Sequence, residues 1–263
     1  RVLAVGGDGT LHEVLNGLLQ NQESPGEAGP SLGVIPLGTG RDYHRTFRFG
    51  RTPEEMTHAA LSPHTCPVDV GELWVRDAYG RPVRTFFANV AGFGFDASVA
   101  HRANVQYARR RSPGVYLRCI FQELSNLQNL QIVGNLDGRD VEIRSALFVM
   151  AIARYFGGRF FVAPHASPVD GWADVLWVEG LTPWRLVRLL PTLYRGKHLS
   201  LESVHTRRVR SLHLTSVPRV PVEADGEVVG YTPVEMRIRS RVLALAVPEE
   251  RCSALTGDEP PSS

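Results

Sequence analysis

The sequence predicts an α/β unit followed by a β-rich, sandwich-like second domain. Three observations predict it. Two apolar runs, Val2-Leu3-Ala4-Val5 and Gly33-Val34-Ile35-Pro36-Leu37, each end in a glycine turn. Helical patterns follow both. Beyond Cys66, short β-like runs crowd the rest of the chain, a density that suits a sandwich.

The first run reads as a buried strand, and the helix after it is well marked. Leu11, Val14, Leu15, Leu18 and Leu19 recur at i, i+3, i+4, i+7 and i+8, one face of an amphipathic helix. A polar loop, Gln22 to Pro30, leads to the second strand and to Gly38-Thr39-Gly40. Thr52-Pro53-Glu54-Glu55 is a helix start: Thr caps, Pro takes the first helical position and Glu55 closes a capping box. That helix is expected to end near Leu61, before Pro63. Strands are expected at Val68–Leu73, Val83–Ala91, Val141–Ile152, Phe160–Ala163, Ala173–Glu179, Val209–Thr215, Val220–Glu223, Val234–Ile238 and Val242–Val247. Helices are expected from about Val115 to Leu130 and from Thr182 to Leu193. The boundaries place an α/β unit at 1–66, completed by about 240–250, a second domain at 67–239 and a disordered tail at 251–263. No internal repeat is present.

Composition narrows the function. The chain has 263 residues, 43% of them hydrophobic, enough for a sizeable core. Net charge is +2, which argues against a strongly electrostatic nucleic-acid binder. Lys197 is the single lysine, so no lysine stands near the glycine turns. Cys66, Cys119 and Cys252 are widely spaced, suggesting neither a zinc site nor a disulfide framework. A reducing cytoplasm is the default. No signal peptide and no spanning apolar run is seen. The chain starts at Arg1, almost inside a strand, so a trimmed or incomplete N-terminus is expected.

The chemistry centres on Gly6-Gly7-Asp8-Gly9-Thr10. A glycine turn between strand and helix lets backbone amides approach a phosphate at a helix N-terminus. A carboxylate in that place suits Mg²⁺ binding or proton transfer. Gly38-Thr39-Gly40 would face the same crevice of an open parallel sheet. Asp42 is either a site residue or a cap for the Tyr43–Phe47 stretch. Gly92-Phe93-Gly94-Phe95-Asp96-Ala97 reads as a structural turn, since the acid that a dinucleotide fingerprint wants is missing downstream. Asp170-Gly171-Trp172-Ala173-Asp174 is either a hard-cation loop or a solvent turn. Asp225-Gly226-Glu227 carries the commonest hairpin signal. Arg102 and Arg109–Arg111, with Tyr107 and Tyr116, suit either anionic headgroups or a solvated helix face. No HExxH, GxSxG or GxxxxGK[ST] motif occurs.

In order, these motifs resemble the diacylglycerol kinase catalytic family, which includes bacterial soluble lipid kinases and the sphingosine and ceramide kinases. The likeness rests on Val5 to Leu11, Pro36 to Asp42, Val68-Asp69-Val70-Gly71 and Phe87 to Gly94. It continues in Arg154-Tyr155-Phe156-Gly157-Gly158, Ala163-Pro164, Asp170-Gly171, Asp174 and Asp225-Gly226-Glu227 near Thr232-Pro233. The resemblance implies a Rossmann-like nucleotide-binding domain, N-terminally incomplete here, packed on a β-sandwich with the active site in the cleft. It implies that Gly6, Gly7, Asp8, Gly9, Thr10, Leu11 and His12, with Gly38, Thr39, Gly40 and Asp42, hold ATP. Glu227 would accept the proton of a lipid hydroxyl, with Asp225 beside it, and Asp8 would organise Mg²⁺–ATP. Asp170, with the carbonyls of Ser167 and Trp172, would hold a structural Mg²⁺. The implied protein is a cytoplasmic kinase touching the membrane surface peripherally, with no nucleic-acid partner and with a homodimer left open. The chain departs from the family pattern at Arg41, at His12 and at Ile152-Ala153, where the family commonly has asparagine, asparagine and Asn-Gly. Two other readings stay open: a soluble-substrate kinase of the NAD-kinase type, and a non-catalytic nucleotide- or lipid-binding relative.

Overall fold

The structure is a computed structural model that describes residues 1–20, 31–38, 40–107 and 113–256. The loop expected at Gln22 to Pro30, Thr39, Arg109–Arg111 and the last seven residues of the tail lie outside the described residues.

Strand β1 (Val2–Gly6) leads into helix α1 (Asp8–Leu19), and β2 (Leu32–Pro36) leads to α2 (Asp42–Phe47). β1 and β2 pair in parallel, with Gly6 opposite Pro36. α1 turns Leu11, Leu15 and Leu19 inward and leaves Glu13, Gly17 and Gln20 exposed, as its period requires. α3 (Pro53–Ala60) has the full capping box between Thr52 and Glu55.

Three strands follow: β3 (Thr65–Arg76), β4 (Pro82–Phe87) and β5 (Val90–Gly94). Then come α4 (Phe95–Tyr107), α5 (Pro113–Glu123), β6 (Leu130–Leu136), β7 (Arg139–Ala151) and β8 (Ala173–Glu179). α6 (Pro183–Leu193), β9 (Val204–Val209), β10 (Ser211–Val217), β11 (Pro221–Ala224), β12 (Glu227–Ala246) and α7 (Glu249–Thr256) complete the chain.

The pairing β12–β10–β6–β7–β5–β11 returns to β12, so these strands form a closed antiparallel ring. Closure removes the open edges that would otherwise invite pairing with other chains. Leu73, Phe87, Phe93, Ile132, Phe148 and Met150 lie in its core cluster. A second cluster lies between the sheet and α4, α5 and α6, and a third fills the α/β unit. β12 joins the two parts: Leu212 to Leu214 of β10 pair near its middle, while Leu245 pairs in parallel with Leu32 of β2.

Several sequence expectations change. The runs Val234–Ile238 and Val242–Val247 are one 20-residue strand. A bulge between Arg239 and Leu243, with Arg241 at φ 54°, looks locally like a turn but does not end the pairing with β3. The run Phe160–Ala163 makes only a bridge between Phe156 and Phe160. Helix α5 stops at Glu123, not near Leu130. β6 and β9 were not expected. β9 is an edge strand with Arg207 and Arg208 exposed, the charged pattern typical of a protected edge. Residues 251–256, expected to be disordered, are helical in α7. Cys66 and Cys252, expected to be unpaired, form a disulfide that ties α7 to β3. The separation of 186 residues hid the pair, since only the tertiary fold brings the two Cα atoms to 5.4 Å.

Candidate active site

The parallel register of β1 and β2 releases both glycine turns at the same end of the sheet. The amides of Leu37 and Gly38 donate to the Gly6 carbonyl at 2.9 and 3.2 Å. The turns touch: a Cβ on Gly38 would collide with the Gly7 Cα, and one on Gly40 with the Asp8 carboxylate. α1 opens at Gly7 with no side-chain cap, so the first-turn amides, Gly9 and Thr10 among them, stay free for an anion. A small hollow between the turns is lined by Gly6, Gly7, Asp8, Leu11, Gly38 and Arg41, among others.

Three acids gather behind this hollow. Burial pushes the Asp8 carboxyl above the ordinary carboxylate range; the Asp42 amide, at 3.5 Å, works against this and the Asp225 charge adds to it. Asp42 is 6% exposed. It does not cap α2, whose N-cap is Arg41 with no side-chain bond. Instead its Oδ2 accepts from the Gly158 amide at 2.7 Å, joining the second glycine turn to the Arg154–Gly158 segment. Burial, then the Asp8 charge, push its pKa up to about 7.

Asp225 is held by backbone. Its Oδ1 accepts from the amides of Asn89 (2.9 Å) and Val90 (3.3 Å), and its Oδ2 from Ala88 (3.0 Å) and from the His12 ring Nδ1 (3.3 Å). The bond to Asp225, with the charges of Asp225 and Glu227, outweighs burial and raises the His12 pKa. Asp225 and Gly226 have φ of 52° and 88°, the left-handed pair of a two-residue hairpin. The ordinary hairpin reading of Asp-Gly is therefore correct, and that hairpin presents Glu227 as the first residue of β12. Asn104 of α4 donates to Glu227 Oε2 at 2.9 Å and to the Gly226 carbonyl at 2.8 Å.

Sequence reasoning missed several supports. Asn16 bonds His12 O, Phe86 O and N, and Thr85 Oγ1 at 2.9 to 3.0 Å, fastening α1 to β4. A second polar residue four positions after His12, at the edge of the apolar stripe of α1, was the available signal. Glu223 is fully buried; its Oε2 accepts from Gly226 N at 2.7 Å. Burial and the neighbouring Asp96 raise its pKa far above the carboxylate range. Asp96, also buried, meets no side-chain donor, and burial pushes it up to about 7. Asp96 lines an apolar cavity of about 80 Å³ under α4, α5 and α6, whose walls include Phe95, Val99, Tyr116, Leu147 and Leu189. That is several times the room one water needs.

The proposed cation loop is different. Asp170 Oδ1 accepts from the Trp172 amide at 3.0 Å, and its Oδ2 pairs with the Arg208 guanidinium. Ser167 Oγ donates to the Leu255 carbonyl at 3.5 Å, and neighbouring Asp69 anchors the loop through Gly171 N and Arg241 N. The Arg208 guanidinium thus lies against the carboxylate that the resemblance assigns to a structural Mg²⁺. Among the described residues, no group of three or more His, Cys, Asp or Glu could hold a metal. Of the basic cluster, Arg102 is paired with Glu123 and is not offered to a headgroup.

Residues 1–73 match the family model described as the diacylglycerol kinase catalytic domain, and residues 89–247 match the YegS C-terminal NAD kinase beta sandwich-like domain. The chain is 31% identical to a diacylglycerol kinase of Mycobacterium tuberculosis over 240 residues, covering 89% of this chain and 72% of that protein. It is 25% identical to a diacylglycerol kinase of Bacillus subtilis, covering 97% and 80%. A crystal structure of a diacylglycerol kinase from Bacillus anthracis shares the fold with a TM-score of 0.65 at 19% identity, covering 94% of this chain and 76% of that one. The chain therefore belongs to the diacylglycerol kinase family, phosphotransferases with an alcohol group as acceptor.

Proposed function

We propose that this chain is an ATP-dependent kinase that phosphorylates the hydroxyl of a membrane lipid. The observation that carries the reading is the hairpin: Asp225, bonded to His12 of α1, delivers Glu227 to the same cleft as the two glycine turns. In this reading the amides of Gly6 to Thr10 and of the second turn hold the triphosphate. Asp8 and Asp42 would face the magnesium ion that arrives with ATP, and its charge would offset the burial, and the lesser carboxylate repulsion, that raise both carboxyls. Glu227 takes the hydroxyl proton as the lipid oxygen attacks the γ-phosphorus. The bond to the β–γ bridging oxygen breaks and ADP leaves. Asp225 is a positioning residue, since its oxygens are committed to backbone and His12.

The apolar cavity supports a lipid acceptor. Asp96 of the cavity wall neighbours Glu223, whose Oε2 accepts from the Gly226 amide, one residue from Glu227. Asp96, whose carboxyl burial raises to about 7, can donate to a lipid carbonyl or hydroxyl when protonated, while an acyl chain lies on the apolar wall. Such a lining offers little to a nicotinamide dinucleotide, so the soluble-substrate reading gains no support. Among the described residues, no helix is long and apolar enough to cross a membrane, and the substrate would be taken from the bilayer surface.

The test is transfer of radiolabelled phosphate from ATP to a panel of diacylglycerols, ceramides and sphingoid bases. Glu227→Gln should lower kcat about 10²-fold or more with little change in ATP affinity. Undiminished turnover in Glu227→Gln would remove the base role, and no transfer to any lipid by wild type would remove the kinase reading.

A further inference from the structure

A second concavity, of about 810 Å³, is lined by His44, Arg45, Arg48, Arg51, Tyr155 and Arg251, with Gly50 and Glu55. Four guanidiniums thus face one hollow in a chain whose net charge is only +2. They come from separate places: α2, the turn into α3, and α7. The cations converge by folding, and the Cys66–Cys252 disulfide holds α7, and so Arg251, on the rim.

The single carboxylate in the lining is already engaged. Glu55 Oε2 accepts the amides of Arg51 and Thr52 to cap α3. Arg45 is committed to the Gly40 carbonyl and to Asp42. Arg48, Arg51 and Arg251 form no ion pair among the described residues. His44 Nδ1 is buried without a partner, and burial, then the Arg41 and Arg45 charges, lower the ring's pKa. A buried imidazole nitrogen without a partner, beside three arginines without an ion pair, suits a phosphate, which takes forked N–H pairs from arginine.

We propose that this hollow, which adjoins the hollow between the glycine turns through His44, is a further phosphate-group site that binds either free phosphate or the phosphate of an anionic lipid headgroup.

The experiment compares wild type with Arg48→Gln/Arg51→Gln, both exposed positions, and with Arg144→Gln/Arg207→Gln, which removes the same charge from exposed strand positions elsewhere. Inorganic phosphate is titrated by calorimetry. Phosphatidylglycerol/phosphatidylcholine vesicles and pure phosphatidylcholine vesicles are tested by co-sedimentation, each at low and high salt. Each lost guanidinium should weaken binding about tenfold, so the hollow variant should bind about a hundredfold more weakly and the control as wild type. Binding should fall with salt. Phosphate binding without vesicle binding assigns the soluble source, and binding to the anionic vesicles alone assigns the headgroup. The proposal is overturned if wild type binds neither probe, if the hollow variant binds as wild type, or if the control loses as much.

Discussion

Replacing Asp42 with asparagine should make the protein more stable and less active. Asp42 is 6% exposed, and its pKa rises from 3.8 to about 7. The folded state therefore holds this proton more tightly than the unfolded chain. Stability contributed by the neutral acid is present below about pH 3.8 and is lost as pH rises towards about 7. About three pH units at ~1.4 kcal/mol each give roughly 4 kcal/mol, an upper figure because Asp8 titrates alongside. The amide side chain of Asp42→Asn keeps an oxygen for the Gly158 amide and carries no charge, so the variant escapes this loss. Urea unfolding at pH 5, 6, 7 and 8 should show the two proteins diverging with pH, the variant ahead by a few kcal/mol at pH 8. If Asp42 faces the magnesium ion of ATP, phosphoryl transfer should fall in the same variant, and added Mg²⁺–ATP should stabilise wild type more than the variant. Equal pH slopes for both proteins would refute the burial argument. A variant that is stabilised yet fully active would refute the metal-facing role.

Other outcomes follow from the same geometry. Gly38→Ala sets a methyl against the Gly7 Cα, backbone that cannot rotate away; it should cost about 1–3 kcal/mol and weaken ATP binding, read by thermal melting and calorimetry. Asn16→Ala strands the Thr85 hydroxyl and both polar groups of Phe86, costing about 3 kcal/mol or more and loosening α1, measurable as faster amide exchange at His12. Under non-reducing denaturation, Cys119 should be the single thiol that reacts, with all three reacting after reduction; reduction should also lower the melting temperature.

Local signals were legible wherever a few adjacent residues decide the conformation. The Thr52–Glu55 capping box, the Thr182 start of α6 and the two strand-to-helix glycine turns stand where the residues place them. Asp225-Gly226 formed the hairpin its dipeptide favours. The failures share a cause. Arg241, in a left-handed conformation, resembles a turn residue in isolation, yet β3 pairs on both sides of the bulge and carries the strand through. β9 lacks an apolar alternation because it pairs on one side only. Asp42 resembled a helix cap because a cap is the nearest use for such a residue, whereas its partner, Gly158, lies 116 residues away.

By itself, then, the sequence determined the two strand-to-helix glycine turns, the capped helix starts and the acid at the end of a hairpin, because these are set by backbone preferences within a few residues. The tertiary structure alone decided what those residues do together. Ring closure sets β11 between β5 and β12 and brings the hairpin to the α1 end of the α/β unit. The tertiary fold also buries Asp96 with Glu223, pairs Asp170 with Arg208, and gathers arginines from three segments around one hollow. Such properties depend on burial and on distances between residues far apart in the chain, which no local pattern encodes.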